Sequence, residues 1–253
     1  MLDDDIEELA GLVQKATKAV VFTGAGMSTD CGIPDFRSPG GFWTKYKPIP
    51  YKDFLASPET RLVAWQRFLM IRDAIASAEP SMAHRWIADL VHRGHVATVI
   101  TQNIDAMHER AGVARDKIIE IHGNGTYAAC LTCGARHEID WVKERIAIDN
   151  AAPGCMSCGG IVKSATISFG QAMPDQPMAD ARAATLNADL FLAIGSSLQV
   201  FPAAGFPVLA QQNRTPLVII NREPTGLDGL ADLVIHGEIG AVIERLMARL
   251  AYA

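Results

Sequence analysis

Six short apolar, β-branched runs recur along this chain, each ending in a glycine, an asparagine or a polar residue: AVVFTG from Ala19, VATVIT from Val96, KIIEIHG from Lys117, DLFLAIGSS from Asp189, PLVIIN from Pro216 and ADLVIH from Ala231. Runs of this length without polar alternation suit strands covered on both faces, as in a parallel sheet. Stretches with helical spacing lie between several of them, over residues 6–17, 58–78, 83–92 and 176–187. Strand–helix alternation predicts an α/β fold, an open parallel sheet with helices on both faces. In such sheets the ligand crevice opens beyond the carboxyl ends of the strands. The residues that close the apolar runs are therefore the site candidates: Gly24, Thr101 to Asp105, His122, Gly195 to Ser197 and Asn221.

Two segments break the alternation. Residues 30–52 are rich in Gly, Pro and aromatics and read as a long loop, too well furnished with Phe36, Phe42 and Trp43 to be a linker, so a cover over the crevice is expected. Residues 128–164 carry two Cys-x-x-Cys pairs, Cys130/Cys133 and Cys155/Cys158, in the spacing of a zinc ribbon. Four thiolates leave no open coordination position, so the metal expected there stabilises the fold and does not activate water. A redox dithiol and four unrelated buried cysteines are the competing readings. His137, between the pairs, could substitute as a ligand, although four cysteines suffice. Gly134 and Gly159, one residue past each pair, fit the turns such knuckles need. The fifth cysteine, Cys31, reads as a small buried hydrophobe ahead of a reactive thiol.

The segment Val20 to Gly26 opens like a dinucleotide fingerprint, where small residues let backbone amides approach a pyrophosphate. Thr29 stands where a third glycine would be, and no Gly-Lys-Ser/Thr follows, which argues against both a dehydrogenase fingerprint and a phosphate loop. The continuation adds Asp35, Phe36 and Arg37, of which Arg37 can neutralise phosphate and Phe36 can cover a ring face.

With 253 residues, 49% of them hydrophobic, the chain can bury a full core in one large domain carrying a small insertion. A net charge of -5 with 20% charged residues gives no basic stripe, so no direct nucleic-acid contact is expected. The acidic start MLDDDIEEL reads as a helix and not as a secretory leader. The long apolar stretch 188–210 is interrupted by Asp189, Gly195, Pro202 and Pro207 and suits a buried strand plus loop better than a membrane span. A cytoplasmic protein without a membrane segment is expected.

Taken in order, GAGMSTDCGIPDFRS, TQNIDAMH, His122-Gly123, the paired Cys-x-x-Cys, GSSLQV and the Asn221 loop resemble the sirtuins, the Sir2 family of NAD-dependent protein lysine deacylases, in its bacterial or archaeal type. The resemblance spans nearly the whole chain. It implies a Rossmann-like NAD-binding domain over 1–29, 53–127 and 165–253, a cofactor-binding loop over 30–52 and a zinc module over 128–164. Gly24, Ala25, Gly26, Asp35, Phe36 and Arg37 would lie along NAD, with Phe36 screening the nicotinamide end. Gln102 and Asn103 would hold the nicotinamide ribose and order a water, and Ile104 with Asp105 would take the carboxamide. Gly195, Ser196 and Ser197 would bind phosphate and adenosine ribose, Asn221, Arg222 and Glu223 the adenosine, and Ile239 the adenine edge. His122 would be the general base, with Asn103 the second catalytic residue. Ile167, Ser168, Phe169 and Gly170 would receive an acetylated lysine peptide by strand addition.

The implied reaction is chemically reasonable. Water attacks an amide poorly, but the amide oxygen can attack a ribose carbon that carries cationic nicotinamide. The protein then supplies alignment and one proton removal, alignment alone reaching about 7 to 11 kcal/mol in favourable systems. Nicotinamide, deacetylated lysine and 2'-O-acetyl-ADP-ribose are the implied products. Departures from the family pattern cluster at 166–171, where this chain has Thr166-Ile167-Ser168-Phe169-Gly170-Gln171 in place of Val-Val-Trp-Phe-Gly-Glu. Ala106 replaces a glycine common in the family, and Cys31 replaces a serine. The Tyr/Arg pair that grips acidic acyl groups in some relatives is not evident around Trp65 to Leu69, which favours acetyl. The alternatives are a protein mono-ADP-ribosyltransferase, a deacylase preferring longer acyl chains, or a non-catalytic NAD-sensing or peptide-binding module. The oligomeric state is not legible in the sequence.

Overall fold

The computed structural model describes residues 2–36 and 41–251. All six apolar runs become strands of one parallel sheet: β1 (Ala19–Thr23), β2 (Val96–Thr101), β3 (Ile118–Glu120), then β7 (Phe191–Ile194), β8 (Leu217–Asn221) and β9 (Leu233–His236). Their spatial order is β3-β2-β1-β7-β8-β9. The chain starts in the middle, builds outward through β2 and β3, and returns to the other side of β1 with β7, so the order reverses between β1 and β7. That reversal opens a crevice at the carboxyl ends of the strands.

The unalternating apolar runs are explained by two cores, one on each face of the sheet. Val21, Val99, Leu192, Val218 and Ile220 face a core completed by Leu9 and Val13 of helix Leu2–Lys15, Trp86 and Ile87 of helix Met82–His92, and Ile243 and Leu246 of helix Ile239–Ala251. Val20, Phe22, Phe191, Ala193, Leu217 and Ile219 alternate with them and face Ala181, Phe206 and Ala210 on the other side. Successive strand side chains point to opposite faces, so a strand buried on both needs apolar residues at every position. Each large aliphatic or aromatic side chain removed from water in this way contributes about 1.5 to 3 kcal/mol.

The expected helices form with boundaries set by caps. Ser57 accepts from the Thr60 amide ahead of Pro58–Ser77, and Ser81 forms a reciprocal cap with His84 ahead of Met82–His92. Helix Asp175–Asn187 covers the fourth helical stretch. Four elements among the described residues depart from the sequence reading. Residues 25–31 wind into a 3-10 helix, the segment read as a loop holds short helices at Phe42–Lys45 and Tyr51–Ala56, and Gly205–Gln212 is helical within the apolar stretch read as strand plus loop.

A second, antiparallel sheet of order β5-β4-β6 is formed by β4 (Gly123–Cys130), β5 (Arg136–Glu138) and β6 (Val162–Thr166), with helix Ile139–Asp149 packed on it. Its pairing reaches Gly123↔Thr166, beyond the 128–164 segment, so the small sheet grows directly out of the end of β3. Only Ile121 and His122 separate the two sheets, which places His122 at the joint. The joint is tight: Gly123 has φ +75°, and a Cβ there would stand 2.1 Å from the Ala165 carbonyl oxygen. None of the described helices is long and apolar enough to cross a membrane.

Candidate active site and metal centre

A cleft of about 670 Å³ occupies the switch point and extends to the small sheet. Gly24, Ala25 and Gly26 form one wall, Gly195, Ser196 and Ser197 the facing one. The glycines let these loops meet. The Gly24 amide donates to the Ile194 carbonyl at 3.1 Å and the Gly26 amide to the Gly195 carbonyl at 2.8 Å. A Cβ on Gly24 would stand 2.7 Å from that Gly195 oxygen. Gly195 has φ +65°, and a Cβ there would lie 2.3 Å from the Met27 amide nitrogen. Gly195→Ala is therefore expected to cost about 2 to 3 kcal/mol through left-handed strain and separation of the loops, measured as a lower urea midpoint at unchanged m.

The TQNID loop is fastened beneath the cleft. Gln102 donates from Nε2 to the Ser196 hydroxyl at 2.9 Å and to the Thr23 carbonyl at 3.2 Å. Asn103 spends both amide hydrogens inward, on the Gly24 carbonyl at 3.0 Å and the Ser28 hydroxyl at 3.1 Å, so its Oδ1 remains as an acceptor. Ser28 in turn donates to Asp105 Oδ2 at 2.7 Å, and the Met107 amide donates to Asp105 Oδ1 at 3.0 Å. Burial raises the Asp105 carboxyl above the usual range against these hydrogen bonds. Ile104 lines the cleft, whereas Asp105 lies beneath its wall. Ala106 sits at φ +57°, a left-handed position where the glycine common in the family carries no steric penalty.

His122 lines the cleft, and its Nδ1–H donates to the Gln102 carbonyl at 3.1 Å, leaving Nε2 as the basic nitrogen. Burial lowers its pKa below the ordinary histidine value, opposed by that hydrogen bond. The Ile167 amide donates to the His122 carbonyl at 2.8 Å, tying β6's continuation to the same joint. Over this end of the cleft Phe36, Trp43 and Phe169 form an aromatic row, with ring centroids 4.9 and 5.1 Å apart. Amides of Phe42 and Trp43 donate to the carbonyls of Asp35 and Phe36, which lays helix Phe42–Lys45 against the loop. Asp35 and Phe36 line the cleft; Arg37 lies outside the described residues.

Ile167, Ser168, Phe169 and Gly170 border the cleft near His122. Two of the departures from the family pattern here, Ser168 and Gln171, bond to each other: the Ser168 amide donates to Gln171 Oε1 at 3.1 Å, and the Gln171 amide donates back to the Ser168 carbonyl at 2.9 Å. At the far end Asn221, Arg222, Glu223 and Ile239 complete the lining. The Asn221 amide group donates to the Glu223 carbonyl at 2.7 Å, and Arg222 lies 3.6 Å from Glu223 and 3.8 Å from Glu238. Sequence reasoning missed several lining residues, among them Thr29, Pro48, Gln199, Phe201 and Met173. They carry no chemical signature, and only the tertiary fold brings them to the cleft.

The four cysteines of the paired motifs converge, their sulfurs all within 4.8 Å of one another. Sulfur–sulfur separations of 3.5 Å (Cys130–Cys158), 3.7 Å (Cys133–Cys155) and 3.4 Å (Cys133–Cys158) are close to the roughly 3.8 Å edge of a tetrahedron with 2.3 Å zinc–sulfur bonds. The Cys133 amide draws the Cys130 thiol down to about 6. Cys158, although lowered by the Gly160 amide, is pushed up to about 12 by the neighbouring sulfurs Cys133 and Cys130. Four sulfurs this close ionise together only around a cation, so the donor set fits zinc and no other described His, Asp or Glu joins the cluster. His137 stands beside the cluster, Nε2 3.3 Å from the Cys155 sulfur and its ring stacked on Trp141.

Two further histidines are buried beneath the site. Burial lowers His84 to about 4 and His108 well below the ordinary value, His84 adding to the latter. Both folded-state values lie under the unfolded value of about 6.5, so the unfolded chain binds more protons and stability falls as pH drops below that value. The expected slope approaches about 1.4 kcal/mol per pH unit per histidine, and urea titrations at pH 7.5 and 5.5 measure it.

An open parallel α/β sheet, a switch-point cleft between two glycine loops, and a four-cysteine metal module define a nucleotide-binding enzyme class with a structural metal. The Sir2 family model matches residues 24–202, and the chain belongs to the Sir2 family. It is 51% identical over 242 residues to NAD-dependent protein deacetylase 1 of Bradyrhizobium diazoefficiens, covering 96% of this chain and 95% of the relative. It is 49% identical over 242 residues to the NAD-dependent protein deacetylase of Rhodopseudomonas palustris, covering 96% of each. A solved Sir2 with p53 peptide and NAD+ superposes with a TM-score of 0.86 at 28% identity, covering 98% of this chain and 99% of that one.

Proposed function

We propose that the protein is an NAD-dependent protein lysine deacetylase that transfers the acetyl group from lysine to ADP-ribose, releasing nicotinamide and 2'-O-acetyl-ADP-ribose. The observation that carries this is the convergence of a histidine whose tautomer leaves Nε2 basic with an asparagine whose Oδ1 is left to accept, in one cleft between two glycine loops. The 51% identity to a deacetylase over 96% of the chain supports the same reading.

When bound, NAD supplies an electrophilic ribose carbon bearing a good leaving group. Gly24, Ala25 and Gly26 with Gly195, Ser196 and Ser197 would hold its phosphates and adenosine ribose, and Asn221, Arg222, Glu223 and Ile239 its adenosine end. Asp35, Phe36 and Arg37 would run along it, with Phe36 excluding water. Gln102 and Asn103 would hold the second ribose, Asn103 accepting a hydroxyl or water proton at Oδ1. Ile104 and Asp105 would receive the carboxamide, and His122 Nε2 would remove the ribose hydroxyl proton. The backbone of 167–170 would pair with the acetyl-lysine peptide. Cys130, Cys133, Cys155 and Cys158 would hold one zinc ion as a brace, and cysteines kept as metal ligands suit the reducing cytoplasm.

A second reading, preference for longer acyl chains, has one observation in its favour. A side chamber of about 170 Å³, walled by Phe54, Trp65, Phe68 and Ile71, shares Trp43, Pro48, Ile49, Thr166 and Ser168 with the main cleft. Mass spectrometry of acetyl- and longer-acyl-lysine peptides with and without NAD tests both. Equimolar nicotinamide, acyl-ADP-ribose and free lysine establish deacylation and rank the chains. Nicotinamide released with ADP-ribose on protein would establish the ADP-ribosyltransferase instead.

A further inference from the structure

Beneath Asn103 lies a file of buried polar side chains that the proposed chemistry does not use. The Asn103 backbone amide donates to Thr101 Oγ1 at 3.0 Å, and the Thr23 hydroxyl donates to the same oxygen at 2.9 Å. Thr23 Oγ1 is also 3.0 Å from His108 Nε2. Its single hydrogen is already spent on Thr101, so towards His108 it can only accept, and Nε2 must carry the hydrogen. His84, with its ring centroid 4.9 Å from that of His108, accepts the Ser81 amide at Nδ1 in the helix cap, which puts its own hydrogen on Nε2. His108 Nδ1 and His84 Nε2 make no hydrogen bond among the described residues. Thr23, Thr101, His84 and His108 are all at most 3% exposed. Apolar side chains of the same shape would fill this space without desolvating imidazole nitrogens, so packing alone does not call for them.

We propose that His108 is a positioning residue for Asn103: its Nε2–H donates into the Thr23–Thr101 hydroxyl relay, and the relay fixes the Asn103 backbone and hence the direction in which its carboxamide is presented to the cleft. The direction of the relay is set at the histidine. With the hydrogen removed from Nε2, Thr23 would turn its hydroxyl towards the ring and release Thr101, whose oxygen would then be held only by the amide it is meant to fix. Chains of this kind polarise one another, so the end bond weakens when the first donor is lost. The role of Asn103 in turnover rests on the deacetylase reading; the relay itself does not.

The test uses the zinc-loaded protein and the variants His108→Phe, His108→Gln, Thr101→Val and the His108→Phe/Thr101→Val double. Steady-state deacetylation and hydrogen exchange at the Asn103 amide are measured on each, with Tm as the folding control. Expected are a loss of kcat on the order of tenfold in His108→Phe with peptide KM within about twofold, recovery of most of it by the amide donor of His108→Gln, and a double variant no slower than Thr101→Val alone. Exchange at the Asn103 amide should quicken on the order of tenfold in His108→Phe. Unchanged exchange and turnover in a folded His108→Phe variant, or losses that multiply in the double, would overturn the relay. Should His108→Phe not fold, the near-isosteric Thr23→Val carries the test, and wild-type exchange at the Asn103 amide in that variant is the overturning result. A wild-type protein that does not deacetylate would sink the functional reading, while the exchange measurement still decides the relay.

Discussion

His122→Ala is expected to lower deacetylation by about two to four orders of magnitude while NAD affinity stays within a few-fold of wild type. The asymmetry follows from geometry. His122 reaches the fold through its backbone, whose carbonyl receives the Ile167 amide at 2.8 Å, and through Nδ1, which holds the Gln102 carbonyl at 3.1 Å. Neither contact belongs to the two glycine loops proposed to hold the dinucleotide, so truncating the ring removes the base and leaves that wall in place. Departure of nicotinamide requires alignment of the amide oxygen but no proton removal, so nicotinamide exchange should fall far less than net deacetylation. Calorimetric titration of NAD, nicotinamide exchange and product formation on one preparation separate these steps. Near-normal product formation by the folded variant would refute the base assignment. The pH profile gives an independent check. A base whose pKa is lowered by burial stays unprotonated further into acid, so the acid limb of kcat/KM should fall below the ordinary histidine value of about 6.5, and a limb above it would contradict the site's burial.

The sheet was legible because its strands are buried on both faces. Val20, Val21 and Phe22 leave no room for a polar residue, so the run announces itself without reference to its neighbours. The site was legible for a related reason, since Gly24, Asn103, His122 and Gly195 stand where strands stop, and strand ends can be counted from the apolar runs. Elements without such a signature were not. The 3-10 turn at 25–31 forms because the Gly24 loop must fold back under Gly195, a tertiary demand no local pattern encodes. Helix Gly205–Gln212 falls in the stretch read as the loop after a strand because Pro202, Gly205 and Pro207 look like breakers, yet its Pro207 lies in the first turn, where a helix tolerates proline. Nothing in the sequence marks His108 as part of the site; only the third dimension shows that Thr23, distant in sequence, forms one file with Thr101 and His108.

Loss of the metal should do the second-largest damage, and it should reach the active site through the backbone. Cys155→Ser, or chelation of the wild-type protein, removes a ligand from a cluster whose four sulfurs come from two turns with little else to hold them. The core behind them is small: Trp65, Ala128, Ile139, Val142 and Val162 are its buried members beside Cys130 and Cys155. Structural zinc supplies roughly 10 to 16 kcal/mol in small metal-bound modules, as much as the burial of these few side chains contributes. The small sheet is therefore expected to lose its order when zinc leaves, while the six-stranded sheet, with its own two cores, keeps most of its helical and strand signal. Activity should nevertheless disappear. β4 is one strand from Gly123 beside His122 to Cys130 in the cluster, paired with β6 at both ends across an irregularity between Gly123 and Ala128, and the continuation of β6 places Ile167 on the His122 carbonyl. Melting the far end of β4 frees the near end, and the basic nitrogen loses its fixed place in the cleft. Zinc content, circular dichroism and a thermal scan of Cys155→Ser should show about one metal lost per chain, a partial loss of strand signal and an apparent Tm lower by about 10 °C or more. Retained thermal stability with the zinc gone would mean that the thiols pack as an apolar core of their own, and the brace would have to be sought in the Trp65 contact to the Val162 carbonyl instead.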